Sequence, residues 1–376
     1  MKTTNPFPIA HYAGPEYFCD REKETKELTG NVLNGRNTVL LSPRRIGKSA
    51  LIEHVFHHLK KKKWHCIYVD IAHTTSLNAL TSAVGSAILN SLPHKKPTWN
   101  QFMDFLKGFR PGISANPMTG EFKAELYSSS QNEEKQTILA ILTWLDKHEK
   151  VVVALDEFQS IVKYPEDGTE AWLRGNIQML KNTQFIFAGS HQQILSAMFN
   201  APKRPFYSSA SQMKLGKIER NEYQNFIHTK FNEQKKRIAT QAVDFILEWT
   251  HLHTYYVQAV CNKVFEHDQV DITLPIVYQS IHSIMLERRD SFYVLRDVMT
   301  IYQFKVLTGV AKFAPVYSPT AAGFIRKNDL RSGASVLKAL SYLVDADLLY
   351  ADYDDKGKLF YSMSDIFFMR WLQENY

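Results

Sequence analysis

Lys48 and Ser49 end the octapeptide Ser42-Pro43-Arg44-Arg45-Ile46-Gly47-Lys48-Ser49, which follows the apolar run Val39-Leu40-Leu41. An ammonium and a hydroxyl after a Gly, at the point where a helix opens, are suited to holding a nucleoside triphosphate. Backbone N–H groups of the loop and the first helical turn point at the phosphates, where the helix dipole also favours negative charge. The spacing assigns Lys48 to the β- and γ-phosphate oxygens and Ser49 to Mg²⁺. Gly47 lets the backbone come close without a Cβ in the way. Such loops usually begin with Gly; this chain has Ser42, and the following Pro43 has no N–H to give. The phosphate cradle is therefore expected from Arg44, Arg45, Ile46, Gly47, Lys48, Ser49 and Ala50.

A second constellation follows a hundred residues later. Val151 to Leu155 are apolar without a break, as a parallel strand buried on both faces requires, and Asp156-Glu157 end the run. The C-terminal ends of such strands are where open α/β sheets bind ligands. An Asp-Glu pair also caps helices after ordinary strands. Downstream of a Gly-Lys-Ser loop on its own strand, it reads as a Mg²⁺ ligand, Asp156, followed by a base, Glu157, that orients the attacking water. A third buried run, Phe185 to Gly189, ends in Ser190 and His191 and would aim one of them at the γ-phosphate, although His191 also suits a plain helix-cap neighbour. The chemistry implied is hydrolysis of ATP with Mg²⁺. ATP is preferred over GTP because no Asn-Lys-x-Asp motif occurs.

Those groups need elements to position them. Apolar periodicity predicts a helix over 17–30, strands over 37–42 and 64–70, and a helix over 48–60 that carries Leu51, Val55, Phe56 and Leu59 on one side. Residues 91–130 are rich in Pro and Gly and read as an irregular insertion with one short helix near Asn100 to Lys107. Helices over 134–148 and 169–181 and a strand over 211–218 complete the sheet domain. Asp70, at a strand end, has an ordinary reading and a second one near the metal. From 219 to 290 the pattern is helical. His251, His253, Cys261 and His267 match no zinc spacing, so no metal is assigned to them.

The last eighty residues read as helices near Tyr302–Lys312, Ala321–Arg326 and Ser335–Val344. Two β-rich runs then flank the turn Asp354-Asp355-Lys356-Gly357, which is a winged-helix layout. Residues 297–376 carry nine Lys/Arg and nine Asp/Glu, so this unit adds nothing to the chain's net charge of +7. Duplex DNA binding leans on excess Lys and Arg. The charge balance favours a protein partner over DNA and leaves both open. No apolar stretch is long enough to cross a bilayer, the start lacks a signal-peptide core, and three distant cysteines suit a reducing cytoplasm.

With these motifs in place, the chain resembles the prokaryotic AAA+-like ATPases of the archaeal-ATPase group, relatives of STAND NTPases and origin-recognition ATPases. The resemblance rests on Phe18-Cys19-Asp20-Arg21-Glu22, the octapeptide, Leu155-Asp156-Glu157-Phe158-Gln159, Ala188-Gly189-Ser190-His191, Arg204-Pro205-Phe206-Tyr207 and Ser364 to Leu372. It implies an α/β P-loop NTPase fold with a RecA-like parallel sheet over 1–218, a helical lid over 219–296 and a winged helix over 297–376. It further implies that adenine packs near Phe18 and Arg21 and that Ser190 or His191 is a sensor. Leu252-His253-Thr254-Tyr255-Tyr256 stands where the group often has Gly-His-Pro-Tyr, and Ser208-Ser209 where it often has Gly-Arg. No arginine finger is assigned; Arg174 and Arg204 are the candidates, and a homo-oligomer in which a neighbouring copy supplies one stays open.

Overall fold

A computed structural model describes residues 5–93, 97–109, 111–126, 130–148, 150–354 and 356–376. The chain divides into two compact units. The sheet unit comprises Arg21–Ser42 and Lys48–Leu215; the helical unit comprises the described residues up to Asp20, Pro43–Gly47 and Gly216–Tyr376.

The sheet unit opens with α1 (Glu22–Leu33), β1 (Thr38–Leu41), α2 (Lys48–Lys61), β2 (His65–Asp70) and α3 (Leu77–Ser91). Then follow α4 (Pro97–Lys107), a small antiparallel hairpin of β3 (Gly112–Ala115) and β4 (Phe122–Glu125), and α5 (Gln131–Asp146). It closes with β5 (Val151–Asp156), α6 (Thr169–Ile177), β6 (Thr183–Gly189), α7 (Gln192–Asn200) and β7 (Ser211–Lys214). Five strands form one parallel sheet in the order β2-β5-β6-β1-β7. Every residue of β5 and β6 is buried, which explains their unbroken apolar runs. The register pairs Leu155 with Phe187 and Leu41 with Gly189. Asp156, Gly189 and the exit of β1 therefore share one edge, with β6 between the strand bearing the acidic pair and the strand feeding the loop. Phe158, Phe187, Phe199 and Phe206 pack below that edge, with ring centroids of Phe158 and Phe187 4.6 Å apart.

Several boundaries differ from the sequence expectation. The first helix begins at Glu22 and not at residue 17, because Asp20 and Arg21 adopt left-handed backbone angles that break it. The stretch over 91–130 is more regular than its Pro and Gly content suggests. Asn90 ties the β3–β4 hairpin to α3, accepting from the Phe122 N–H and donating to the Phe122 carbonyl. Helix α3 is an addition to the expected elements, although Leu77, Leu80, Thr81, Val84 and Ile88 bury one face at helical spacing and Ser76 caps it.

The helical unit contains α8 (Arg220–Glu233), β8 (Arg237–Ile238), α9 (Thr240–Trp249), α10 (Thr254–Phe265), β9 (Asp271–Ile272) and α11 (Leu274–Asp297). The winged helix follows: α12 (Ile301–Phe313), α13 (Ala322–Lys327), α14 (Gly333–Asp345), the antiparallel pair β10 (Leu349–Tyr353) and β11 (Leu359–Met363), and α15 (Ile366–Asn375). Thr300 and Gln303 form a capping box on α12, while Ser332 and Asp365 cap α14 and α15. In the wing turn, the Asp354 carboxylate accepts from the N–H groups of Lys356 and Lys358. Asp355 lies outside the described residues. No helix among the described residues is long and apolar enough to cross a membrane.

Candidate active site

Asp156 ends β5 and is 4% exposed, with four donors around its carboxylate. Lys48 Nζ lies 2.5 Å from its Oδ1, and the N–H of Glu157 donates to the same oxygen at 2.9 Å. Ser49 Oγ donates to Oδ2 at 3.0 Å, and so does the hydroxyl of Tyr68. A buried carboxylate with this many donors is held in one orientation. Lys48 Nζ also reaches Glu157 Oε1 at 3.0 Å. The two ends of the sheet edge thus converge on one ammonium, delivered by the first turn of α2 after β1.

Glu157 adopts a left-handed backbone, φ 57, which is uncommon for a residue with a Cβ. Oε2 accepts from Ser190 Oγ at 2.8 Å, from the Ser190 N–H at 3.2 Å and from Gln159 Nε2 at 2.5 Å. Burial alone would raise its pKa, but Lys48 and the donors on Oε2 outweigh burial and bring it down to about 2. The hydroxyl of Tyr68 is pushed the other way, by burial and then by the Asp156 charge. His191 joins the cluster through Nδ1, 3.2 Å from Gln159 Nε2.

Not every expected residue falls in this cluster. Lys48, Ser49, Asp156, Glu157, Ser190 and His191 come together within the sheet unit, and Ala50 lies in the first turn of α2. Arg44, Arg45, Ile46 and Gly47 belong to the helical unit, with Arg45 and Gly47 at positive φ. There the carbonyls of Arg45 and Ile46 accept from the Tyr255 N–H and the Thr254 hydroxyl. Arg44 pairs with Asp347, and Arg45 with Asp365 and the hydroxyl of Tyr256. Phe18 is also in the helical unit, its ring edge-on to Tyr12, whereas Arg21 is buried in the sheet unit on Glu24. Asp70 accepts from the Ala72 N–H as an ordinary strand-end residue, Arg204 pairs with Glu170 and Arg174 with Gln178.

Tyr68 and Gln159 are site residues that the sequence reading misses. A tyrosine within a half-buried strand reads as packing, and only the register, which places β2 beside β5, brings its hydroxyl to Asp156. Among the described residues, no group of three or more His, Cys, Asp or Glu could hold a metal ion. Mg²⁺ uses a different donor set, one or two protein oxygens completed by water and phosphate. Ser49 Oγ and Asp156 Oδ2, 3.0 Å apart, supply that pair.

Comparison with known proteins agrees with this geometry. A family model described as an ATPase domain predominantly from Archaea matches residues 18–250, and one described as a probable winged helix domain matches residues 290–374. No curated protein matches the chain. Among solved structures, the chain is similar to a Walker-type ATPase of Pyrococcus abyssi, with a TM-score of 0.66 and 18% identity over 98% of this chain and 99% of that one. It is also similar to the ORC2 protein of Aeropyrum pernix in ADPNP–ADP complexes (TM-score 0.56, 14% identity, 100% and 97% covered). A third likeness is to the ORC1 protein of Aeropyrum pernix in complex with DNA (TM-score 0.51, 14% identity, 96% and 95% covered). At these identities the likenesses speak for the fold alone.

Proposed function

Because the chain belongs to the family of ATPase domains predominantly from Archaea, we propose that it is a Mg²⁺-dependent ATPase that works as a nucleotide-controlled switch and repositions its winged helix for a macromolecular partner. The observation that carries this reading is the convergence of Lys48, Ser49 and the Asp156-Glu157 pair, with no separation above 3.0 Å. Lys48 would transfer its ammonium from the two carboxylates to the phosphate oxygens of ATP, which offer the same charge. Ser49 and Asp156 would hold Mg²⁺, whose chemistry is to neutralise charge developing on the phosphates. Glu157 would accept a hydrogen bond from the attacking water, and Ser190 and His191 would report the γ-phosphate.

A phosphate-release assay with and without Mg²⁺ tests the reading. Glu157→Gln should retain ATP binding and lose turnover on the order of 10²-fold or more, the usual contribution of a positioned base. Lys48→Ala should lose tight binding. Turnover in Glu157→Gln equal to that of the unmodified protein would remove the role given to that carboxylate.

The partner of the winged helix is assigned as a protein. The outward face of α14 carries Ala334, Leu337, Lys338, Ser341, Tyr342 and Asp345, with Leu337 51% and Tyr342 41% exposed, so its one cation is offset by one carboxylate. That surface is poor in the cations that duplex binding needs. A salt-titrated mobility assay with duplex DNA, with and without ATP, decides against this assignment if it finds a shift that weakens steeply with salt. The reading of a DNA-binding regulator with a static nucleotide would then take its place.

A further inference from the structure

Gln159 is 6% exposed in the 3₁₀ helix Phe158–Lys163 that follows Glu157, and its amide nitrogen bridges Glu157 and His191. Nε2 lies 2.5 Å from Glu157 Oε2 and 3.2 Å from His191 Nδ1. A carboxylate can only accept, so the amide atom facing Glu157 is the nitrogen. That nitrogen has two N–H groups and no acceptor capacity. Its second N–H therefore goes to His191 Nδ1, which must be unprotonated, and the neutral imidazole carries its proton on Nε2.

The placement is built in from the neighbouring strand. Gly189 is the last residue of β6, and a Cβ there would lie 2.0 Å from Gln159 Oε1, inside any real contact distance, and 3.1 Å from Cδ. Its absence makes the space into which the amide is turned. Oε1 itself is buried with no hydrogen-bond partner, so nothing on that side draws the amide into place. The bonds from Nε2 to Glu157 and His191 hold it.

We propose that Gln159 is a positioning residue that links Glu157 to His191 and fixes His191 as the Nε2-protonated tautomer. This rests on the reading of Glu157 as the water-orienting base and His191 as the γ-phosphate sensor. Through it, a displacement of His191 by phosphate would be passed to the Glu157 carboxylate. A side chain with one nitrogen donor pair does this; a carboxylate or thioether of the same length does not.

The test is ¹⁵N NMR of histidine-labelled full-length protein, with His191→Asn to assign the resonance and a thermal melt to verify folding. In the unmodified protein His191 should show a pyridine-like Nδ1 and a pyrrole-like Nε2. Gln159→Met, which keeps the length of the side chain, should release that preference. Gln159→Glu should reverse it, because the new carboxylate requires a donor at Nδ1. Gly189→Ala, acting from β6, should reproduce the effect of Gln159→Met. In steady-state assays, Gln159→Met should leave KM for ATP within about twofold and lower kcat on the order of 10²-fold, as misplacement of a reacting group does. A proton on Nδ1 in the unmodified protein, or the same tautomer in both Gln159 variants, overturns the proposal. Absence of ATP turnover in the unmodified protein would instead defeat the ATPase reading while leaving the tautomer result to stand on its own.

Discussion

Arg45, within the phosphate-loop octapeptide, and Asp365, at the start of the last helix, form an ion pair at 2.5 Å although 320 positions separate them in the chain. Asp365 also caps α15, where its Oδ1 accepts from the Phe368 N–H at 3.1 Å. The guanidinium of Arg45 faces the rings of Tyr255 and Tyr256 as well, at 5.2 and 5.3 Å. Substitution separates the ion pair from the cap. Asp365→Asn keeps an oxygen for the cap and loses the charge, which at 38% and 24% side-chain exposure is worth less than about 1 kcal/mol. Asp365→Ala loses the cap too, a further ~1 kcal/mol. Urea unfolding should rank unmodified protein above Asn above Ala. Equal losses in the two variants would mean that the cap contributes nothing.

Lys48 bonds both carboxylates of the acidic pair. Without it, Asp156 and Glu157 remain side by side, largely removed from water, with the neutral donors Ser49, Tyr68, Gln159 and Ser190. Removing one partner of a buried pair costs about 3–5 kcal/mol. Protein purified without nucleotide should therefore lose on the order of 3 kcal/mol on Lys48→Ala, measured by chemical denaturation. Glu157→Gln should cost much less, because Lys48 keeps Asp156. A Lys48→Ala variant as stable as the unmodified protein would show that water already compensates the pair.

The loop, the acidic pair and the strand ending in Ser190-His191 are legible in the sequence because each lies on one contiguous segment whose apolar run and polar ending state the topology. The positions of Tyr68 and Gln159 are not, because they depend on strand order and on the missing Cβ at Gly189. Helix α15 escapes the sequence reading for a different reason. Ile366, Phe367, Phe368 and Met369 form a short continuous apolar run with Trp371 and Leu372 close behind, all of them buried, and such a run does not tell a helix from a buried strand by periodicity. Along α3, by contrast, Leu77, Leu80, Val84 and Ile88 recur at helical spacing. The insertion looks irregular in sequence because of its prolines, yet Pro97 opens a helix, which proline tolerates at the first helical position.

Tyr68 gives a prediction about the metal side of the site. Its hydroxyl and that of Ser49 both donate to Asp156 Oδ2. Tyr68→Phe keeps the ring in β2 and removes one hydrogen bond to a charged acceptor, worth about 1.5 kcal/mol or roughly tenfold in an equilibrium. With Asp156 less constrained, the Mg²⁺ concentration that half-saturates binding of a fluorescent ATP analogue should rise by about that factor. An unchanged Mg²⁺ requirement would confine Tyr68 to packing.

The last prediction concerns acid stability of the helical unit. His253 is 2% exposed at the start of α10, and its Nδ1 has no hydrogen-bond partner. Burial, reinforced by Lys217, His251 and Arg45, lowers its pKa to about 3, and burial with Arg370 and Lys217 lowers that of His251 to about 4. An unfolded histidine binds its proton near pH ~6.5. Between that value and the depressed folded values, the unfolded chain holds more protons than the folded one, so stability falls as pH is lowered. The contribution of each group is complete above pH ~6.5. Below it, each costs up to about 1.4 kcal/mol per pH unit. His253→Phe keeps a ring beside Tyr256, whose centroid lies 6.1 Å away. Urea unfolding from about pH 7.5 to 4.5 should therefore show a shallower loss in the variant, by up to about 1.4 kcal/mol per pH unit below ~6.5. Parallel profiles for the two proteins would mean that His253 takes up its proton in the folded state.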